Sequence, residues 1–178
     1  MRNSKEDIKV NKIAKYIKGI MNILEIVETD SNKDTPYRVA KMYVKEVFRN
    51  INNNQIYLLR NDIKLFTNDF NYHDIVSVKD IDFSSICEHH FMPFFGTVDI
   101  EYVPKDKVIG LSKLPKVVTF FSKKPQLQER LTQEIGNFLV DTLKPIKLKV
   151  TVKSVHTCVK CRGIEKNCET TTEFNYTS

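Results

Sequence analysis

The chain has 178 residues, 41% hydrophobic and 28% charged, with a formal net charge of +6 and a sequence pI near 9.0. That length holds one domain able to bury a core without disulfide staples, and no apolar run reaches membrane-spanning length. Four cysteines without a signal peptide suit a reducing compartment in which thiols stay free, so a cytoplasmic location is expected, with no membrane partner. The positive balance suits an anionic partner, either a nucleic acid or a phosphorylated small molecule.

Residues 8–27 place Ile13, Tyr16, Ile17, Ile20, Met21, Leu24 and Val27 on one helical face, which predicts an amphipathic N-terminal helix. A second helix is expected over DTPYRVAKMYVKEVFRNI, with Thr35 as N-cap and Pro36 at the first helical position. Its buried stripe would be Ala40, Tyr43, Val44, Val47, Phe48 and Ile51, while Arg38, Lys41 and Lys45 line another face. From about residue 75 the period changes to two, in IVSVKDIDF and in TVDIEYV. PKDK turns the chain back into VIGL, so residues 97–111 read as a hairpin. GLSK opens a short helix with Ser112 as N-cap, and a longer helix follows from Pro125, with Leu127, Leu131, Ile135, Phe138 and Leu139 facing a core. Residues 146–161 return to strand period. With no repeat or flexible linker, the expectation is a single α+β domain with a mainly antiparallel sheet.

The chemistry concentrates in SSICEHHFMPFFG, where Cys87, Glu88, His89 and His90 are consecutive. Sulfur and imidazole donors side by side suit a borderline-soft metal, zinc above all. Cys87 and His90 form a C-x2-H chelate arm. In HTCVKCRG, strand alternation puts His156, Cys158 and Arg162 on one face. Cys87, His90 and Cys158 would then make a three-ligand zinc with an open position, the composition of a catalytic site. The competing arrangement adds Cys161 from the C-x2-C pair and gives a closed Cys3His staple. The staple leaves His89 and His156 without a task, whereas an open site needs nearby groups to move protons.

CEHHFMPFFGTVDIEYVPKDKVIGLSK, QLQERLTQEI and VHTCVKCRGI, in this order and separation, with DTPYRVAKMYVKEVF upstream, resemble GTP cyclohydrolase I over about residues 34–172. The resemblance implies zinc-dependent opening of the GTP imidazole ring at C8, formate release and rearrangement to 7,8-dihydroneopterin triphosphate, the entry to folate and pterin synthesis. It implies zinc ligands at Cys87, His90 and Cys158, with water at the fourth position. His156 would protonate the purine and His89 would serve later proton transfers near the ribose, with Glu88 in a supporting part. Glu129 would anchor the guanine N1 and N2 hydrogens, and Gln128 would contact the base. Ser112, Lys113, Lys116, Arg162, Arg38 and Lys41 would hold the triphosphate. The implied fold is the tunnelling fold, an antiparallel sheet with helices on one face, joined between subunits into a β-barrel. The implied assembly is a homodecamer with sites between subunits. Residues 1–30 would form an N-terminal helical segment and residues 31–178 the catalytic domain, with GTP rather than nucleic acid as partner.

Three departures from the family pattern stand out. Lys116, after Pro115, replaces an arginine that many relatives carry, which keeps the charge and loses the bidentate fork. Cys161 stands where the family has a non-ligating residue, and is expected to be a bystander thiol. Relatives continue past CETTTEFNYTS into a C-terminal helix. Alternative readings are a degenerate family member, a zinc-stapled nucleic-acid binder, and a nitrile reductase of related fold; the last uses a lone thiol and has no use for the CEHH arm.

Overall fold

A computed structural model describes residues 4–51 and 55–178. The chain forms two compact units, Met1–Arg49 and Asn50–Ser178.

In the first unit, α1 (Lys5–Ile23) packs against α2 (Thr35–Met42). Ser4 and Asp7 close a reciprocal capping box at the start of α1: the Ser4 hydroxyl accepts from the Asp7 amide at 3.2 Å, and the Asp7 carboxylate accepts from the Ser4 amide at 3.3 Å. The helix ends four residues before the expected limit, because Glu25 turns left-handed (φ 55°) and the Ile26 amide folds back onto the Met21 carbonyl. The buried positions are Val10 and Met21, flanked by half-buried Ile13 and Ile17; Tyr16, Ile20, Leu24 and Val27 of the expected stripe are exposed. Thr35 is the first residue of α2 rather than its cap, with Asp34 before it. After Met42 the backbone widens into a π-helical turn, Tyr43–Val47, so the 3.6-residue spacing assumed for the stripe no longer holds and Ile51 is exposed.

In the second unit, α3 (Ile56–Asp62) precedes two sheets. The small one pairs β1 (Leu65–Thr67) with β4 (Lys107–Ile109), antiparallel. The large one has the order β5-β2-β3-β6-β7, from β2 (Val76–Cys87), β3 (Pro93–Val103), β5 (Pro125–Gln126), β6 (Lys147–His156) and β7 (Glu169–Thr177). All its pairings are antiparallel except β2 with β5. The expected hairpin at 97–111 does not form: both edges of β3 are occupied by β2 and β6, so VIGL pairs with β1 instead. β7 was not anticipated as a strand.

Side-chain alternation buries one face of the sheet, with Phe94, Val98, Ile100 and Tyr102 of β3 beside Leu148, Val150 and Val152 of β6. Against it lie α4 (Lys113–Ser122) and α5 (Gln128–Leu143), contributing Leu114, Val117, Val118, Leu131, Ile135 and Leu139 to one core. α5 approaches β7 closely enough that a Cβ on Gly136 would fall 2.3 Å from the Phe174 ring. The longer helix begins at Gln128 rather than Pro125, since Pro125 and Gln126 are drawn into the sheet beside Ile86 and Cys87. That short parallel pairing fixes the start of α5 next to the end of β2. It is the local event that assembles the site.

Candidate active site

Cys87 is the last residue of β2 and is buried. The chain then turns tightly: the Cys87 amide donates to the Met92 carbonyl at 2.8 Å, and the Phe91 amide donates to the Cys87 carbonyl at 2.9 Å, with Phe91 left-handed (φ 53°). The turn lifts His89 and His90 toward solvent. Across the sheet end, β6 stops at His156, because β3 pairing runs out at Phe94 and the Thr157 hydroxyl donates to the Pro93 carbonyl at 2.6 Å. A single helical turn, α6 (Thr157–Lys160), then carries Cys158. The regular strand expected through Arg162 is thus absent; Cys158 reaches its place from a helical turn.

The ligand atoms of Cys87, His90 and Cys158 lie within 4.8 Å of one another, the one such group among the described residues. Tetrahedral zinc, with Zn–S about 2.3 Å and Zn–N about 2.0–2.1 Å, spaces its ligand atoms roughly 3.5–3.8 Å apart. Small side-chain rotations close the difference, so the residues fit the ion. Burial, and then the neighbouring Cys87 sulfur, push the Cys158 thiol up from its ordinary pKa, while Arg162 opposes the rise. A bound cation removes that penalty by displacing the thiol protons. Cys161 is exposed and outside the cluster. The closed four-ligand staple is therefore not formed.

A cleft of about 390 Å³ opens beside these ligands, lined also by His89, Gln128, Glu129, His156 and Arg162. His89 stands with Nδ1 3.9 Å from the Cys87 sulfur. Glu129 lies exposed in the first turn of α5, where the helix dipole favours a carboxylate. His156 is half-buried and stacked on Phe94 (centroids 4.6 Å apart, planes 4° apart), and burial pushes its pKa down while the Glu129 charge opposes that shift. Gln128 is 1% exposed and all its hydrogen-bonding capacity is used inside the protein. Nε2 donates to the Val152 and Thr170 carbonyls, each at 2.9 Å, and Oε1 accepts from Ser154 Oγ at 2.7 Å and from His156 Nε2 at 2.9 Å.

Glu88 points elsewhere. Its carboxylate takes a hydrogen bond from Arg130 at 2.7 Å, which holds its pKa below the usual carboxylate value. Sequence reasoning missed Arg130, Ser154, Thr170 and Phe94; no local pattern marks them, because each meets the site through pairing across the sheet or the helix–sheet contact.

Ser112, Lys113 and Lys116 do not line this cleft. Ser112 stands at the N-cap position of α4, without a capping bond from its side chain. Lys113 and Lys116 both reach Asp62, at 3.1 and 2.7 Å. Arg38 and Lys41 belong to the first unit, on α2; both are exposed, and Arg38 pairs with Asp34 at 3.6 Å.

The site and the sheet define a zinc-type hydrolytic centre: three soft ligands at the end of an antiparallel sheet, with imidazoles and a carboxylate in the adjoining cleft. The family match makes this specific. Residues 13–177 match GTP cyclohydrolase I, and the chain belongs to that family. It is 42% identical over 173 residues to GTP cyclohydrolase 1 of Erwinia tasmaniensis, covering 97% of this chain and 76% of that one. It is 39% identical over 171 residues to GTP cyclohydrolase 1 of Blochmanniella pennsylvanica, covering 96% and 76%. Among solved structures, an archaeosine synthase QueF-like protein in the apo form aligns with TM-score 0.43 and 25% identity, over 56% of this chain and 91% of that one. No helix among the described residues is long and apolar enough to cross a membrane.

Proposed function

We infer that the chain hydrolyses GTP, opening the imidazole ring at C8, releasing formate and yielding 7,8-dihydroneopterin triphosphate. The observation that carries this reading is the convergence of Cys87, His90 and Cys158 beside a cleft that also holds Glu129, His156 and Arg162.

Cys87, His90 and Cys158 would hold zinc, which when bound supplies a Lewis acid able to bring the pKa of water to about 7. Glu129 accepts hydrogen bonds from the guanine N1 and N2 donors, an edge that matches two carboxylate oxygens. His156, beside the Cys158 ligand, gives a proton to the purine as C8 is hydrated. His89, exposed next to the Cys87 sulfur, serves the proton transfers that follow at the ribose. Arg162 faces the phosphates from the cleft wall.

The remaining cations fit a site completed by neighbouring subunits. Ser112, Lys113 and Lys116, with Arg38 and Lys41, would grip the triphosphate from an adjacent chain in a homo-oligomer whose sheets join into a barrel, a decamer by family. Residues 31–178 would serve as the catalytic domain with residues 1–30 as an appended helical segment, working in the cytoplasm. The test is to mix zinc-loaded protein with GTP, oxidise the products, and measure pterin fluorescence together with formate. Equal yields of both, abolished in His156→Ala, are expected; zinc-loaded, folded protein yielding neither contradicts the reading.

A further inference from the structure

The side chain of Gln128 settles which nitrogen of His156 is held inside the protein. Its amide sits among four partners, two of which are backbone carbonyls, Val152 on β6 and Thr170 on β7. Carbonyls only accept, so both must meet the NH2 group; the reversed amide would set its oxygen against two other oxygens in a site 1% exposed. The carbonyl oxygen therefore points at Ser154 Oγ and at His156 Nε2. An amide oxygen cannot donate, so the bond to His156 requires a proton on Nε2, whatever the charge on the ring. The ring cannot easily swing away, being stacked flat on Phe94.

We propose that Gln128 is a positioning residue that locks His156 as the Nε2–H form and leaves Nδ1 as the atom that carries the catalytic proton to and from the substrate. This rests on the cyclohydrolase reading for its catalytic half, while the protonation pattern stands on the hydrogen bonds alone. It assigns Gln128 a task different from contact with the guanine base, for which its amide has no free donor or acceptor. It also gives β7 a part in the chemistry: the Thr170 carbonyl is one of the two groups that orient the amide.

Solid-state 15N NMR of zinc-loaded protein labelled in its histidines reads the lock directly. The His156 signals are assigned by their loss in His156→Gln, and the protonated nitrogen is identified by its bonded ring carbon. Nε2 protonated in the wild type is expected. Gln128→Met should release the lock, giving Nδ1–H or a mixture, and lower kcat about 10²-fold, the scale of a misplaced acid–base group, with KM for GTP within about twofold. A wild-type ring protonated on Nδ1 and bare on Nε2 overturns the proposal even if Gln128→Met does not fold. So does a Gln128→Met enzyme that keeps the wild-type pattern and loses only substrate affinity, the result a base-contacting Gln128 would give. Absence of pterin product in the wild type with Nε2 protonated sinks the functional reading and leaves the lock intact.

Discussion

The zinc-ligand end of the sheet and the lysines at the start of α4 are both expected to meet GTP, and they are built on opposite plans. At the sheet end, one chain brings three metal ligands together and positions His156 through a buried amide with every bond made. At α4, Lys113 and Lys116 lie on Asp62, a carboxylate that is itself 44% exposed. Lys116 is 53% exposed, so its pair with Asp62 is a screened contact of small worth, while Lys113, 17% exposed, is better covered. The first region is finished in the monomer. The second is a cation pair held by an internal anion, which a triphosphate carrying roughly four negative charges can displace. The proposed function would put preorganisation where bonds change and exchangeable charge where the triphosphate arrives and leaves.

The most severe way to break the finished region is Cys158→Ala, which should abolish both zinc retention and pterin formation, while Cys161→Ala keeps its zinc; metal content after dialysis distinguishes them. If Cys161→Ala also loses zinc, the open three-ligand arrangement is wrong. A blow to the scaffold should cost less. Gly136→Ala forces a methyl into the Phe174 ring and is expected to destabilise by about 1–3 kcal/mol, the usual scale of overpacking, read as a lower denaturant midpoint. The same change should loosen the contact of α5 with β7, and with it the Gln128–Thr170 bond.

The exchangeable region responds more mildly and in the opposite direction. Asp62→Asn removes the competing anion and should lower KM for GTP about two- to fivefold, with a steeper salt dependence; a rise in KM would show Asp62 to be aligning the lysines instead. Lys116→Arg should also lower KM, by restoring the fork that grips phosphate oxygens.

The smallest effect concerns Glu88 and Arg130. Arg130 lowers the Glu88 pKa, so the pair stabilises the fold above the pKa of a free glutamate, and that contribution disappears as pH falls through the lowered value. The gap in unfolding midpoint between wild type and Arg130→Met should therefore be present at neutral pH and close in acid. A gap that persists at low pH would assign the effect to packing of the arginine stem.

Much of the finished region was legible in the chain. Cys87, His90 and Cys158 are unusual residues at informative spacing, and Glu129 and His156 fall beside them in the cleft. What was hidden depends on pairing between distant segments. VIGL reads as the return arm of a hairpin, and only the occupation of both edges of β3 sends it to β1. Alternation carried the strand past His156, because nothing local says that β3 has run out of partners there. Nothing local in QLQER says that the Gln128 amide meets the Val152 and Thr170 carbonyls, because those bonds depend on where β6 and β7 fall against α5. The stripe on α1 had the right period and is only partly covered: Met21 is buried and Ile13 and Ile17 are half-buried beside Val10, whereas Tyr16 and Val27 are exposed.

The central claim is that the metal half of each site comes from one chain and the phosphate-binding lysines from another. Subunit complementation tests it directly. Zinc-free Cys158→Ala and Lys113→Ala proteins, each inactive alone, are unfolded together, refolded with zinc and assayed for pterin formation. If halves come from different chains, random mixing leaves roughly a quarter of the sites with both halves intact, and activity should return to that level. No activity in mixed oligomers that contain both chains would place the metal and the lysines of each site on the same chain and contradict the account.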